Sequence, residues 1–145
     1  IIKARAYGEH FGVACVADDS GLVVDALNGA PGIYSARYAG EGATDRDNNA
    51  KLLATLASVP ADQRTARFEC CCALLVPGTE PHVELGIVEG RIACETSGAH
   101  GFGYDPLFIP NGHEKSFGEL GAEIKSAISH RANAFKKLRS YLMQA

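Results

Sequence analysis

Two adjacent carboxylates, Asp18 and Asp19, follow the apolar run at residues 13–17 and are followed by Ser20 and Gly21. A carboxylate at a strand end is a hard oxygen ligand of the kind Mg²⁺ takes, since that ion keeps several waters and bridges to substrate phosphates. A water activated in this way has a lowered pKa, and a carboxylate beside it can take the proton. Side chains alternate on extended backbone, so Asp18 and Asp19 face opposite ways and only one of them is central. The same four residues also suit a plain polar turn, with Asp and Ser bonding the backbone.

A second stretch is Gly101-Phe102-Gly103-Tyr104-Asp105-Pro106. Its glycines let a ligand approach the backbone, and Phe102 or Tyr104 offers a face on which a base can stack. Asp105 is a candidate acceptor for a ring N–H. The other reading is a flexible hairpin-type loop whose aromatics close the core. A third group is Lys125 with Ser129-His130-Arg131, at the start of the final helix. Free N–H groups and the positive dipole end attract anions there, and the arginine fork suits a base edge or a phosphate. An exposed polar start to an amphipathic helix, with His130 as a cap, is the alternative. Lys3 adds a single cation on the first helix. No GxGxxG, GxSxG, HExxH or Walker sequence occurs, and His10, His82, His100 and His113 stand in no ligand-like spacing.

These residues need elements to hold them. Residues 1–10 read as a helix broken by Gly8 and Gly12, and residues 13–17 as a buried strand entering the Asp-Asp-Ser-Gly turn. Extended structure resumes at 22–27, and Asn28-Gly29-Ala30-Pro31-Gly32 is a turn. Thr44 with Asp47 makes a capping box for a helix reaching about Val59, with Leu52, Leu53 and Leu56 as its buried stripe. Long strands are expected at 65–76 and 82–95. Ser116 and Glu119 form another capping box, and Ile128, Phe135, Leu138 and Leu142 mark the buried face of the last helix. Helices mixed with long strands imply an α/β fold around a mixed sheet.

The 145 residues suit a single domain, 1–145, and the 46% apolar and 21% charged content is that of a soluble globular protein. A net charge of −3 argues against a nucleic-acid binder. Residues 112–145 nonetheless carry six basic and three acidic side chains, a local excess suited to an anion or to a solvated helix face. No run approaches the ~18 apolar residues of a membrane span, and no secretory signal precedes the first motif. The five cysteines, three of them consecutive at 70–72, form no CxxC pair and read as small core residues kept reduced in a cytoplasm. Ile1-Ile2-Lys3-Ala4 already reads as the middle of a helix, so a preceding segment is expected.

Taken in order, ADDSGLVVDALNGAPGIYSARYAG, RTARFECCCAL, GFGYDP and EIKSAISHRANAFKKL resemble the inosine triphosphate pyrophosphatase family, from Lys3 to the final helix. The resemblance implies an elongated mixed β-sheet with helices flanking a substrate cleft between two lobes, assembled as a homodimer. It implies Mg²⁺-dependent hydrolysis of ITP, dITP and XTP to the monophosphate and pyrophosphate. Asp19 corresponds to the catalytic base and metal ligand, and Ser20 and Gly21 line the substrate site. Phe102, Gly103, Tyr104 and Asp105 correspond to the base pocket, Lys125, His130 and Arg131 to purine-edge contacts, and Lys3 to a phosphate contact. The family's N-terminal triphosphate loop and an acidic metal ligand after it have no counterpart here. Two other functions are compatible with parts of the pattern: a nucleotide-binding module without turnover, and a related pyrophosphatase for modified pyrimidine nucleotides.

Overall fold

In the computed structural model, which describes residues 1–144, four strands and four helices form an α/β arrangement. Helix α1 (Ile2–Phe11) ends at Gly12 in the left-handed conformation, with φ 64°. Strand β1 (Cys15–Val24) then runs without interruption through Asp18, Asp19, Ser20 and Gly21. The expected turn at these four residues is therefore mid-strand. Pairing with β2 (Thr65–Leu75) is continuous from Cys15 opposite Leu75 to Val24 opposite Ala66, so the backbone groups here are taken by a ladder. β1 lies at the sheet edge, where polar side chains are tolerated.

The sheet order is β1-β2-β3-β4, with β3 (His82–Ile92) and the short β4 (Phe108–Pro110) completing it; each described pairing is antiparallel. Strand β2 has the period-two burial of a half-covered strand. Ala66, Phe68, Cys70 and Cys72 are buried on one face, beneath the last two helices of the chain. Cys71 points the other way and is exposed, as is Cys94, and Cys15 is half-buried. The reading of all five cysteines as core residues thus holds only for Cys70 and Cys72.

Helix α2 (Asp45–Thr55) begins at the expected capping box: the Thr44 hydroxyl accepts the Asp47 N–H, and Asp47 accepts the Thr44 N–H. Hydrogen bonds from Thr44 hold the Asp47 carboxyl below the usual range. Leu52 and Leu56 are fully buried, in one cluster with Leu22, Phe68, Phe108 and Phe117. Arg64, which the sequence did not single out, is also buried. Its guanidinium donates to the carbonyls of Leu56, Val59 and Ala93 and so finishes the chain where α2 stops.

The Ser116–Glu119 capping box opens α3 (Phe117–Ile128) as expected. The chain then breaks at Ser129 and restarts as α4 (His130–Gln144). The buried stripe of α4 is His130, Ala134 and Leu138, a four-residue repeat, while Phe135 and Leu142 are largely exposed. Of the expected stripe, Leu138 is buried and Ile128 packs partly against the core, while Phe135 and Leu142 turn outward because the helix approaches β3 at Gly86. A Cβ there would lie 2.0 Å from the His130 carbonyl and 2.2 Å from the Ala134 nitrogen. Contact this close requires small residues, which a search for large apolar side chains misses.

Candidate functional site

β1 divides the candidate residues between the two faces of the sheet. Asp18 and Ser20 point to the helical side, whereas Asp19 points to the side of α1. Asp18 accepts a 2.7 Å hydrogen bond from Arg131 Nε, and that bond raises the guanidinium pKa further. Asp19 is 83% exposed in its side chain, with Lys3 Nζ 3.8 Å from its Oδ1.

On the helical side a cleft of about 180 Å³ lies between β1, the 3-10 turn Gly32–Arg37, the 101–106 loop and the α3–α4 junction. Of the residues singled out in the sequence, Ser20, Gly21, Phe102, Gly103, Tyr104, Asp105, Lys125, His130 and Arg131 line it. A neighbouring hollow of about 490 Å³ continues past Phe102, Lys125, His130 and Arg131 toward His100 and Phe135. Lys3 and Asp19 are not among the cleft residues. Asp19 lines a hollow of about 330 Å³ on the opposite face, which shares Ser20 and Gly21 with the cleft. Gly21 is confined there, since a Cβ would come within 2.6 Å of the Gly32 carbonyl oxygen.

The two aromatics of the loop differ in kind. Tyr104 is buried in the main core, and its hydroxyl donates to the Ser35 carbonyl at 2.7 Å; burial keeps that hydroxyl protonated. Phe102 is 63% exposed, with Lys125 Nζ 4.3 Å from the ring centroid. Asp105 is buried, and its Oδ2 accepts from both Lys125 Nζ and the Phe102 N–H. Lys125 and Asp105 therefore tie α3 to the loop as an ion pair.

His130 is buried against Phe68, the rings stacked 4.9 Å apart, and its Nδ1 has no partner among the described residues. Burial first, then the charges of Arg131 and Lys125, push its pKa down to about 4 against the opposing effect of Asp18. It is neutral at pH 7, so one ring nitrogen donates and the other accepts. Ser129 precedes it as the cap of α4, accepting the Ala132 N–H. Ser20 Oγ is likewise buried and unpartnered among the described residues. A buried hydroxyl and a buried imidazole nitrogen without partners, both on cleft-lining residues, are the polar groups a ligand would satisfy.

Four further residues shape the cleft without having stood out in the sequence. Ser35 accepts the Leu22 N–H at 2.9 Å and donates to the Gly32 carbonyl. Asn48 donates to the Ala36 carbonyl and accepts the Ala39 N–H. Asp45 accepts the Gly103 N–H, and Asn49 donates to the Gly103 carbonyl. One pattern could have exposed Asn48: it shares the four-residue repeat of Leu52 and Leu56, and a polar residue in a core register needs a partner.

An α/β sheet with an exposed carboxylate on one face, and an aromatic, cationic cleft across its edge strand, is the architecture that these elements define. The chain belongs to the Ham1 family, whose model matches residues 1–141. It is 49% identical over 142 residues to the dITP/XTP pyrophosphatase of Bacillus subtilis (strain 168), covering 98% of this chain and 72% of the relative. The dITP/XTP pyrophosphatase of Exiguobacterium sibiricum is 50% identical over 141 residues, covering 97% and 71%. Among solved structures, a HAM1 protein from Coxiella burnetii superposes with a TM-score of 0.92 at 42% identity, over 99% of this chain and 74% of the other. The Staphylococcus aureus Ham1 protein gives 0.92 at 44% identity, over 98% and 73%.

Proposed function

We propose that this chain hydrolyses 6-keto purine nucleoside triphosphates, ITP, dITP and XTP, to the nucleoside monophosphate and pyrophosphate. The observation that carries this reading is the sharing of Ser20 and Gly21 between the aromatic cleft and the Asp19 hollow. A ligand laid across the β1 edge reaches a base platform at one end and a carboxylate at the other. The names of the relatives support the same substrate class.

The base stacks on the face of Phe102 away from Lys125, a contact of about 1–3 kcal/mol that is indifferent to base identity. Identity is read at the purine 6-position by donors of Arg131 and by neutral His130. Hypoxanthine and xanthine offer a carbonyl there, whereas adenine offers an amino donor that would face these donors and leave them unpaired. Ser20 and Gly21 guide the ligand over the strand, and Lys3 offsets phosphate charge beside Asp19. A water attacks the α-phosphorus as the bond to the oxygen bridging the β-phosphate breaks; pyrophosphate leaves, and Asp19 takes the water's proton.

Mg²⁺ fits this donor set. Among the described residues no group of three or more His, Cys, Asp or Glu is arranged to hold a metal ion. An exposed carboxylate such as Asp19 is instead suited to an ion that takes one or two protein oxygens and completes its shell with water and phosphate. When bound, the ion would supply charge neutralisation on the phosphates. The five free cysteines agree with a cytoplasmic setting. No described helix is long and apolar enough to cross a membrane. The homodimer implied by the family resemblance belongs to the same proposal.

The test is product identity. With ITP and Mg²⁺, ³¹P NMR should show IMP and pyrophosphate in equal amounts, and Asp19→Asn should lower the rate by roughly 10²–10⁴-fold. IDP and orthophosphate as products, or an Asp19→Asn variant as active as the wild type, would overturn it.

A further inference from the structure

We propose that Asp45 and Asn49, at the start of α2, are positioning residues that set the height of the Phe102 platform by gripping Gly103 on both sides. Gly103 N–H donates to Asp45 Oδ2 at 2.8 Å, and Asn49 Nδ2 donates to the Gly103 carbonyl at 2.9 Å. The two peptide groups flanking Gly103 are thus both fastened to one helix turn, more than fifty residues away in sequence.

The loop needs such a grip. Gly103 has φ 60°, and apart from its chain neighbours no described residue comes within 4 Å of where its Cβ would stand, so its own packing does not fix the backbone. The Phe102 side chain is mostly exposed, with Lys125 at its ring and Asp105 on its N–H as the other holds on this segment. The α2 turn, by contrast, is rigidly placed: Leu52 and Leu56 are fully buried, and the helix is capped at Thr44. Capping belongs to Thr44 and Asp47, which leaves the Asp45 carboxylate for Gly103. Asn49 makes the case from the other side. It is 6% exposed, its Nδ2 is spent on Gly103, and its Oδ1 has no partner among the described residues. An unpaired buried acceptor is a cost that an apolar side chain would avoid, so the donor is what the position uses. Asn48 holds the opposite rim in the same way through Ala36 and Ala39. One helix turn therefore spaces the two rims of the cleft.

The consequence for nucleotides rests on the proposed function, whereas the grip itself does not, and the test separates the two. In the ¹⁵N-labelled, ligand-free chain, Asp45→Ala should speed exchange of the Gly103 amide proton by about tenfold or more, and Asp45→Asn, which keeps an acceptor oxygen, should restore most of the protection. With ITP, Asp45→Ala should raise KM by about tenfold with a much smaller change in kcat, and Asp45→Asn should recover most of that loss. Asn49→Leu, which keeps the buried volume, should raise KM in the same sense. Unchanged Gly103 exchange in Asp45→Ala would overturn the grip. Faster exchange with an unaltered KM, or a loss confined to kcat, would overturn its role in placing the base. A wild-type chain inactive on ITP would fell the functional reading alone, since the exchange experiment uses no nucleotide.

Discussion

His130 and Asp18 show how much of the site is set by single environments. The imidazole pKa drops from 6.5 to about 4 on folding. Between those values the unfolded chain holds the proton and the folded chain does not. Stability is therefore lost as the pH falls from 6.5 toward 4 and is unaffected by this group above that range. Urea unfolding at pH 7 and pH 4.5 should show wild-type stability falling with acid by on the order of 2 kcal/mol more than that of His130→Gln. Parallel losses in both proteins would contradict the assignment. Asp18→Asn removes the only carboxylate bonded to Arg131 among the described residues. As the pair is partly exposed, we expect ITP affinity to fall by no more than about fivefold, against a loss of turnover in Asp19→Asn; isothermal titration and steady-state rates distinguish the two. The opposite orientation of these carboxylates was legible from strand alternation alone. The difference between Phe102 and Tyr104 was not, because it depends on whether the Ser35 carbonyl lies within reach of a hydroxyl.

At the level of elements, the close seating of α4 on β3 carries His130 and Arg131 into the cleft. Gly86→Ala puts a methyl group against the backbone of α4. It should cost roughly 1–3 kcal/mol in chemical denaturation and raise the KM for ITP by shifting the helix start; a wild-type denaturation midpoint would show that the seat has slack. Arg64→Leu removes the donor to two carbonyls just past α2, Leu56 and Val59, and to that of Ala93, and should destabilise by about 2–4 kcal/mol, readable as a lower Tm. Both capping boxes, at Thr44 and Ser116, could be read directly, because a local motif states its own geometry. The buried stripe of α4 could be read only in part, at Leu138. Which face of that helix is covered is decided by a glycine on a strand more than forty residues earlier.

At the scale of the whole molecule, the α/β architecture and the long strands β2 and β3 followed from periodicity and turn chemistry, while the short β4 had no signal of its own. The division of the site followed only in part: strand alternation sets Asp18 and Asp19 on opposite faces but does not say which other residues share each face. Asp19 and Lys3 lie on one face of the sheet and the residues proposed to read the base on the other, an arrangement that follows from β1 being continuous where a turn was expected. Long-range pairing with β2 decides this, and no window of β1 contains it. The most direct test of the central claim is pyrophosphate release from ITP and from ATP by this chain, in parallel, with Mg²⁺. A cleft that reads the purine 6-position with donors predicts a kcat/KM for ITP at least about a hundredfold above that for ATP. Equal values for the two nucleotides would contradict it.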